Sequence, residues 1–167
     1  FNTLQSFELF QGNKINNNDL LLEIITTSIQ LKSMIVSVDP LEKNIRKLLN
    51  FGHTVGHALE SSSKYKMLLH GEAVSIGMIA ASRISNDLGF LHDDDLLSIE
   101  KILIKYDLPI KISNIQASDI FKLMMYDKKI VDGQLQFILL NEIGHAFIEN
   151  KIDDKVVSNA ISGIISE

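Results

Sequence analysis

The sequence predicts a mainly α-helical fold with one small β-hairpin. Apolar residues recur at spacings of three and four along several long segments, as in helices that bury one face. Only 9 Gly and 2 Pro interrupt the 167 residues, which favours long helices over many short strands and turns. Near the carboxyl terminus, two apolar runs flank residues 141–144, and this pattern is typical of a hairpin.

The clearest predicted helix covers residues 18–38. Pro40 lies just beyond its end, and one stripe along it is apolar, formed by Leu21, Ile25, Ile29 and Val36. Residues 70–88 are mostly small and apolar with Gly89 as the cap, and the acidic residues 93–95 favour a helix start there. The remaining predicted elements are helices 4–10, 41–61 (helical from 43 or 44), 93–106, 118–125 and 153–165, and strands 135–140 and 145–149.

The composition is that of one globular domain spanning residues 1–167, with 46% hydrophobic and 22% charged residues. A net charge of −5 argues against a nucleic-acid partner, which requires clustered Lys and Arg. The absence of Cys suits a reducing, cytoplasmic location. Apolar stretches such as 74–81 are too short for a membrane span, so we expect no membrane partner. Because the chain opens at Phe1 without an initiator Met, we interpret it as a segment of a longer protein.

One face of the predicted helix 41–61 is polar in an unusual way. With an advance of about 100° per residue, apolar side chains fall on one side and polar ones on the other. Solvated faces usually carry Lys, Glu and Gln, whereas Asn and His are poorer helix formers with versatile chemistry. The pattern therefore favours a functional site formed by Arg46, Asn50, His53, His57 and Glu60.

Three histidines indicate a metal site. His53 and His57 are four residues apart, so on a helix they are neighbours at about 5–6 Å, as in zinc sites with two helical imidazoles. Thr54 follows the first His where metalloproteases carry Glu, which disfavours that class. His70 opens the next helix. The residues alone leave open which two imidazoles, if any, hold the ion.

Several lysines allow two interpretations. Lys32 lies in the middle of the apolar stripe of helix 18–38, where it either extends to solvent or places its charge in a site. Lys128 and Lys129 follow Asp127 near a helix end, where cations are favourable, and alone they describe an ordinary surface cluster.

Two ordered motifs carry these residues. Residues 46–60 read RKLLNFGHTVGHALE, and residues 70–78 read HGEAVSIGM. They resemble the dehydroquinate synthase patterns R-x-x-L-N-F-G-H-T-x-G-H-A-[IL]-E and H-G-E-A-V-x-x-G-M, at the family's separation. Upstream, residues 39–46 fit D-x-x-E-x-G-x-R except that Asn44 replaces the glycine, and downstream residues 127–129 fit D-K-K. The resemblance covers the whole chain as the family's C-terminal helical domain.

The resemblance implies an enzyme that converts 3-deoxy-D-arabino-heptulosonate 7-phosphate to 3-dehydroquinate and phosphate. In that family, NAD transiently oxidises a secondary alcohol, phosphate is eliminated, the hydride returns and an aldol closure follows. No net redox occurs, so the enzyme is a carbon–oxygen lyase of the shikimate pathway.

The resemblance also implies roles for individual residues. His53 and His70 are implied as ligands of zinc or a similar divalent ion such as cobalt, and His57 as a non-ligand that contacts substrate and moves protons. Arg46, Asn50 and Lys32 are implied as substrate contacts, joined by one or both of Lys128 and Lys129. We therefore expect Lys32 and Arg46 to point into the same cleft as His53.

The family's remaining parts are expected outside this chain. The third metal ligand is a Glu in an E-V-I-K-Y-G-like motif that precedes the matching region. NAD is bound mainly by an N-terminal nucleotide-binding domain, which is the partner of this domain, and the full-length form is expected to be a homodimer. This chain alone is expected to fold, but neither to bind NAD nor to turn over substrate.

Three alternatives compete with this interpretation. Sugar-phosphate cyclases such as 2-deoxy-scyllo-inosose synthase or a valiolone-type synthase share the chemistry but lack the substrate carboxylate, and Arg46 and Asn50 disfavour them. A metal-dependent dehydrogenase of the glycerol dehydrogenase type is disfavoured by the H-G-E-A-V and D-K-K motifs. A non-catalytic helical module with a surface His stripe is the third.

Overall fold

A computed structural model describes residues 1–6, 10–11, 14–15, 17–62, 68–126, 130–131 and 134–166. The described helices are α1 (Asn2–Ser6), α2 (Asn18–Val38), a 3-10 helix (Ile45–Asn50), α3 (His53–Ser61), α4 (His70–Asp87), α5 (Asp93–Lys105), α6 (Ala117–Tyr126) and α7 (Asp154–Gly163). The described strands are β1 (Phe10–Gln11), β2 (Lys14–Ile15), β3 (Ile130–Val131), β4 (Gln134–Leu135), β5 (Phe137–Glu142) and β6 (His145–Glu149).

The chain divides into two compact units, Phe1–Leu49 and Asn50–Glu167. In the first unit, β1 and β2 form a short antiparallel pair, and α2 begins at the N-cap Asn17. The Asn17 side chain accepts a hydrogen bond from the Leu20 N–H at 2.9 Å, which satisfies one of the donors that a helix start leaves without a partner.

Asp39 organises the turn that follows α2. Its buried carboxylate accepts hydrogen bonds from the backbone N–H groups of Lys43 at 2.9 Å, Asn44 at 2.7 Å and Arg46 at 3.1 Å. The hydrogen bond from Lys43 is the largest cause that lowers the pKa of Asp39; those from Asn44 and Arg46 act in the same direction, and desolvation opposes them. The ionised carboxylate therefore fixes the backbone that leads to Arg46.

The replacement of the family's glycine by Asn44 fits this turn. Among the described residues other than glycine, positive φ angles occur only at Glu42, Asp107 and Asn114. Because Asn44 adopts an ordinary φ, its Cβ brings no strain of the left-handed kind.

In the second unit, α4 is the central element. It contacts α3, α5, α7 and β5, and a helix with so many neighbours must be apolar or small on most of its surface. Its sequence provides this with buried Ala, Ser and Ile residues. The largest fully buried side chains include Phe137, Leu59, Ile76, Ile79, Ile84, Ile120, Met124, Leu139 and Ile161.

The hairpin β5–β6 closes one side of this core. Its antiparallel register pairs Phe137 with Glu149 and Leu140 with Ala146, with an irregularity between Leu140 and Glu142. Residues 137–140 are all buried, since β5 packs on α4. Ser85 of α4 ties the two together, because its hydroxyl accepts the Leu140 N–H at 3.0 Å.

The mainly α fold with a C-terminal hairpin is confirmed. The predicted bounds of α2 agree with the structure, while α4, α5 and α7 end one to two residues earlier than predicted, and β5 begins two residues later. The short pairs β1–β2 and β3–β4 were not predicted. The interpretation of residues 1–167 as one domain stays a prediction.

Two local predictions were wrong. Phe10 belongs to a strand and not to a helix 4–10, of which residues 7–9 lie outside the described part. The predicted continuous helix up to Ser61 is instead a 3-10 helix followed by α3, with a break at Gly52, whose φ is +80°. Residues 46–60 therefore do not share one helical face.

Helix α2 is longer and more apolar than stretches such as 74–81, from which we expected no membrane span. Within the described part of the chain, it is the one helix with the length and composition of a membrane span, at 21 residues. Asp19, Glu23 and Lys32 lie along it. Helices of soluble proteins meet the same test, and the expected absence of a membrane partner stays a prediction.

Candidate metal and substrate site

Glycines hold α3 and α4 in backbone contact. A Cβ built on Gly77 would lie 1.9 Å from the Gly52 carbonyl oxygen, and one built on Gly56 would lie 3.2 Å from the Ala73 carbonyl oxygen. The contacts pair the residue before α3 with the middle of α4 and the middle of α3 with the start of α4, so the helices run antiparallel. This register brings His70, the first residue of α4, to the face of α3 that carries His53 and His57.

Three imidazoles meet at this place. The His53 ring centroid lies 5.3 Å from that of His57 and 5.3 Å from that of His70, and the His57 and His70 centroids are 6.2 Å apart. The His53 and His57 rings are almost perpendicular at 89°. The structure therefore brings together the three histidines that the sequence singled out, across two helices.

The His53 ring is oriented by its own backbone. Its Nδ1 lies 3.2 Å from the Phe51 carbonyl oxygen. Since a carbonyl oxygen only accepts, this hydrogen bond requires the proton on Nδ1, and Nε2 is then the nitrogen with the lone pair. A metal ligand needs that lone pair.

The His70 ring is oriented by Glu60. Its Nδ1 lies 3.0 Å from Glu60 Oε1, and the carboxylate accepts the proton of Nδ1. The same tautomer follows, with the lone pair on Nε2. Metal-binding imidazoles in proteins usually donate their second ring N–H to a carboxylate or a backbone carbonyl, and His53 and His70 show one of each.

The spacing of the His53 and His70 rings is compatible with two ligands of one zinc ion, as is the spacing of the His53 and His57 rings. With zinc–nitrogen distances of about 2.0–2.1 Å and a tetrahedral angle, two ligating ring centroids lie about 5 Å apart, close to both of these spacings. Among the described residues, no group of three or more His, Cys, Asp or Glu side chains is arranged to hold a metal ion. Two imidazoles are fewer protein ligands than zinc takes, so a complete site needs a further ligand.

The cluster is partly exposed to solvent. The side chain of His70 is 59% exposed and that of Glu60 is 29% exposed, while His53 and His57 are half-buried. The helices beneath them are buried, since Thr54, Val55, Ala58 and Leu59 pack in the core. The rings thus stand on a buried base and remain partly accessible, as a site for a polar ligand requires.

The other predicted site residues do not all lie in the unit that contains the histidines. Asn50 is half-buried at the end of the 3-10 helix and belongs to the unit with the histidines. Lys32 and Arg46 belong to the first unit, so their expected convergence with His53 stays a prediction. Lys128 and Lys129 lie outside the described residues.

Arg46 is held in a defined position within its unit. Its Nη1 donates to the Pro40 carbonyl oxygen at 2.8 Å, and its Nε lies 3.7 Å from a Glu42 carboxylate oxygen. Both partners belong to the turn that Asp39 organises. A guanidinium held in this way loses less side-chain entropy when it binds an anion.

Sequence reasoning assigned no specific contact to two residues that shape the site. Glu60 was recognised only as part of a polar stripe, although it lies seven residues after His53, two helical turns away on the same face. Thr54 was considered only as a departure from a protease motif, but its hydroxyl donates to the Gln136 carbonyl oxygen at 3.0 Å and fixes α3 to the residue before β5.

The fold and the paired imidazoles define a helical domain with a candidate metal centre. The same fold occurs in the 2-epi-5-epi-valiolone synthase of Streptomyces hygroscopicus subsp. jinggangensis 5008, solved with NAD+ and Zn2+, with a TM-score of 0.77 and 23% identity. That match covers 87% of this chain and 40% of the other. A 2-deoxy-scyllo-inosose synthase complexed with carbaglucose-6-phosphate, NAD+ and Co2+ aligns with a TM-score of 0.75 and 24% identity over 95% of this chain and 50% of that one.

Sequence similarity is more specific. The family model described as 3-dehydroquinate synthase C-terminal matches residues 1–130, and the chain belongs to that family. The 3-dehydroquinate synthase of Ruthia magnifica subsp. Calyptogena magnifica is 43% identical over 147 residues, which are 87% of this chain and 41% of that protein. That of Acinetobacter baumannii (strain AYE) is 39% identical over 154 residues, 92% of this chain and 43% of that protein. The chain thus spans about two fifths of the length of these relatives.

Proposed function

We propose that the full-length protein containing this chain is a 3-dehydroquinate synthase, a carbon–oxygen lyase. It converts 3-deoxy-D-arabino-heptulosonate 7-phosphate to 3-dehydroquinate and phosphate by an NAD-dependent transient oxidation, phosphate elimination and aldol closure. The observation that carries the proposal is the convergence of His53 and His70 within a chain of this family.

In this proposal His53 and His70 hold a zinc ion or a similar ion such as cobalt. The ion, when bound, polarises a substrate hydroxyl and lowers its pKa. The two rings present their Nε2 atoms because Phe51 and Glu60 occupy the Nδ1 protons. The missing protein ligand is a Glu outside this chain.

His57 is assigned to substrate and proton movement. Its ring lies within 5.3 Å of the His53 centroid and is half-buried, so a substrate at the metal pair would be within reach. An imidazole accepts or donates a proton near neutral pH, which the elimination and ring-closing steps require.

Asn50, Arg46 and Lys32 are assigned to the polar groups of the substrate. The substrate carries a carboxylate and a phosphate, and charge-assisted hydrogen bonds from guanidinium and ammonium groups are the strongest contacts for both. The side-chain amide of Asn50 supplies a neutral donor and acceptor for a hydroxyl. One or both of Lys128 and Lys129 complete the anion contacts.

The remaining functions belong to the rest of the protein. We assign NAD binding to an N-terminal nucleotide-binding domain, because this chain has no glycine-rich strand–turn–helix motif to hold the dinucleotide. The full-length enzyme is proposed to be a cytoplasmic homodimer without a nucleic-acid or membrane partner.

The test is an assay of phosphate release by the full-length protein supplied with NAD, zinc and the heptulosonate phosphate. We expect phosphate and 3-dehydroquinate in equal amounts without net accumulation of NADH, because the hydride returns within each turnover. Net NADH production from a polyol would instead support the dehydrogenase alternative.

A second substrate separates the proposal from the related cyclases. Glucose 6-phosphate and sedoheptulose 7-phosphate lack the substrate carboxylate, for which the Arg46 guanidinium supplies a charged donor in this proposal. Turnover of either at a higher kcat/KM than the heptulosonate phosphate would overturn the proposed substrate.

A further inference from the structure

Glu60 contacts His70, and the proposed reaction assigns it no contact with the substrate. Its Oε1 lies 3.0 Å from His70 Nδ1, across the connection between α3 and α4. Glu60 lies in the last turn of α3 and His70 is the first residue of α4, so the contact joins two helix ends whose backbones the glycines already hold together.

The contact is not needed to start α4. Glu72 performs that task, since its Oε2 accepts the Leu69 N–H at 2.8 Å in the capping arrangement. The contact between Glu60 and His70 also contributes little stability, because the His70 side chain is 59% exposed and exposed ion pairs are weak. The main effect of the contact between Glu60 and His70 is therefore on the orientation of the imidazole.

We propose that Glu60 is a positioning residue that holds His70 in the tautomer and ring orientation required for metal binding. The inference rests on the proposed function, in which His70 is a metal ligand. The carboxylate keeps the proton on Nδ1, directs the lone pair of Nε2 outward, and increases the electron density of the ring, so that Nε2 is a better donor.

An exposed histidine needs such a partner more than a buried one. The His70 ring is free of tight packing on its solvent side, whereas His53 is half-buried and lies beside its own backbone carbonyl. Without Glu60, the His70 ring samples further rotamers and both tautomers, and each molecule binds metal only in the fraction of time that it is correctly arranged. The expected loss of metal affinity is about 10–100-fold, as for other partners of ligating imidazoles.

The chain contains a matched control for this pair. Glu142 Oε1 lies 2.7 Å from His145 Nδ1 on the hairpin, with side chains that are 64% and 74% exposed. The chemistry of this pair is the same, but neither residue is part of the candidate metal site. Glu142→Ala therefore removes an equivalent carboxylate–imidazole contact away from the metal.

The experiment measures Co2+ affinity and the visible spectrum of bound Co2+ in the full-length protein, by competition with a chelator. The variants are Glu60→Ala, Glu60→Gln, His70→Ala and Glu142→Ala. We expect Glu60→Ala to weaken Co2+ binding about 10–100-fold with an unchanged spectrum. Glu60→Gln should lie between it and the native protein, because an amide oxygen still accepts the Nδ1–H bond but carries no charge. Glu142→Ala should bind as the native protein does.

The outcomes separate this inference from the proposed function. Native affinity in His70→Ala would remove His70 from the metal site, and with it the proposed function as stated. Loss of Co2+ in His70→Ala together with native affinity in Glu60→Ala would overturn the role of Glu60 alone. A changed Co2+ spectrum in Glu60→Ala, with a loss as large as in His70→Ala, would make Glu60 a ligand and also overturn the positioning role. Urea unfolding of the metal-free variants checks that each has folded.

Discussion

Gly77→Ala tests whether the contact between α3 and α4 sets the geometry of the histidines. The new Cβ would lie 1.9 Å from the Gly52 carbonyl oxygen and 2.9 Å from the Gly56 N atom. Both neighbours are backbone atoms of the α3 region, so no side chain can rotate away. The helices must separate to accept one methyl group.

The size of the effect follows from the distances. Real Cβ atoms essentially never approach another heavy atom within 3.0 Å, so α3 and α4 must move apart by about 1 Å. Overpacking of a close contact costs about 1–3 kcal/mol of unfolding free energy, and more where the backbone itself must move. The same displacement separates His70 from His53 and His57, so metal affinity should fall together with stability.

The assay is urea unfolding of the metal-free full-length protein, with Co2+ affinity measured in parallel. Gly71→Ala is the control for stability, because a Cβ on this α4 residue has no heavy atom within 4 Å. It should leave the unfolding free energy unchanged or raise it by up to about 1 kcal/mol, since Ala is the better helix former. Native stability and native Co2+ affinity in Gly77→Ala would refute the reasoning.

Two further predictions concern buried polar groups. Ser85→Ala should cost about 1–3 kcal/mol in urea unfolding, because the buried Leu140 N–H loses its 3.0 Å acceptor. Ser82→Ala should cost nothing, because the buried Ser82 hydroxyl has no hydrogen-bond partner among the described residues. An equal loss in both would contradict the hydrogen-bond explanation. Asp39→Asn should be less stable than the native protein at pH 7, and the difference should vanish as the pH falls, because the folded pKa of Asp39 lies below its ordinary, unfolded value. The stabilisation is present above the unfolded pKa and lost as the pH falls through the folded one, so a difference independent of pH would contradict it.

The sequence predicted the helix bounds best where local signals act alone. Helix α2 has an apolar stripe, a polar residue at its start and Pro40 beyond its end, and the structure begins and ends it at the predicted residues. These signals need no knowledge of what the helix packs against.

The break at Gly52 could not be predicted from periodicity. A positive φ is cheap at any glycine, and what selects it here is the close approach of α4, with Met78 and Val74 atoms within 2.7 Å of an added Cβ. The helical-wheel argument joined Arg46 to His57 on one face, and this was wrong because the chain turns between them.

The candidate site was predicted in parts. Spacing along one helix paired His53 with His57, and those rings are indeed neighbours, but His70 lies as close to His53 from the next helix. This proximity depends on the antiparallel register of α3 and α4, which also places Glu60 beside His70. The resemblance to the dehydroquinate synthases supplied the pairing of His53 with His70, which the structure accommodates and which stays a proposal.

The most direct test of the account is the zinc content of the full-length protein with His53→Ala, His57→Ala or His70→Ala. We expect the first and third variants to lose stoichiometric zinc and activity, because each removes a ligand. We expect His57→Ala to retain one zinc per chain and to lose turnover of the heptulosonate phosphate, because it removes a group that moves protons. Stoichiometric zinc in both His53→Ala and His70→Ala, or loss of zinc in His57→Ala alone, would contradict the assignment.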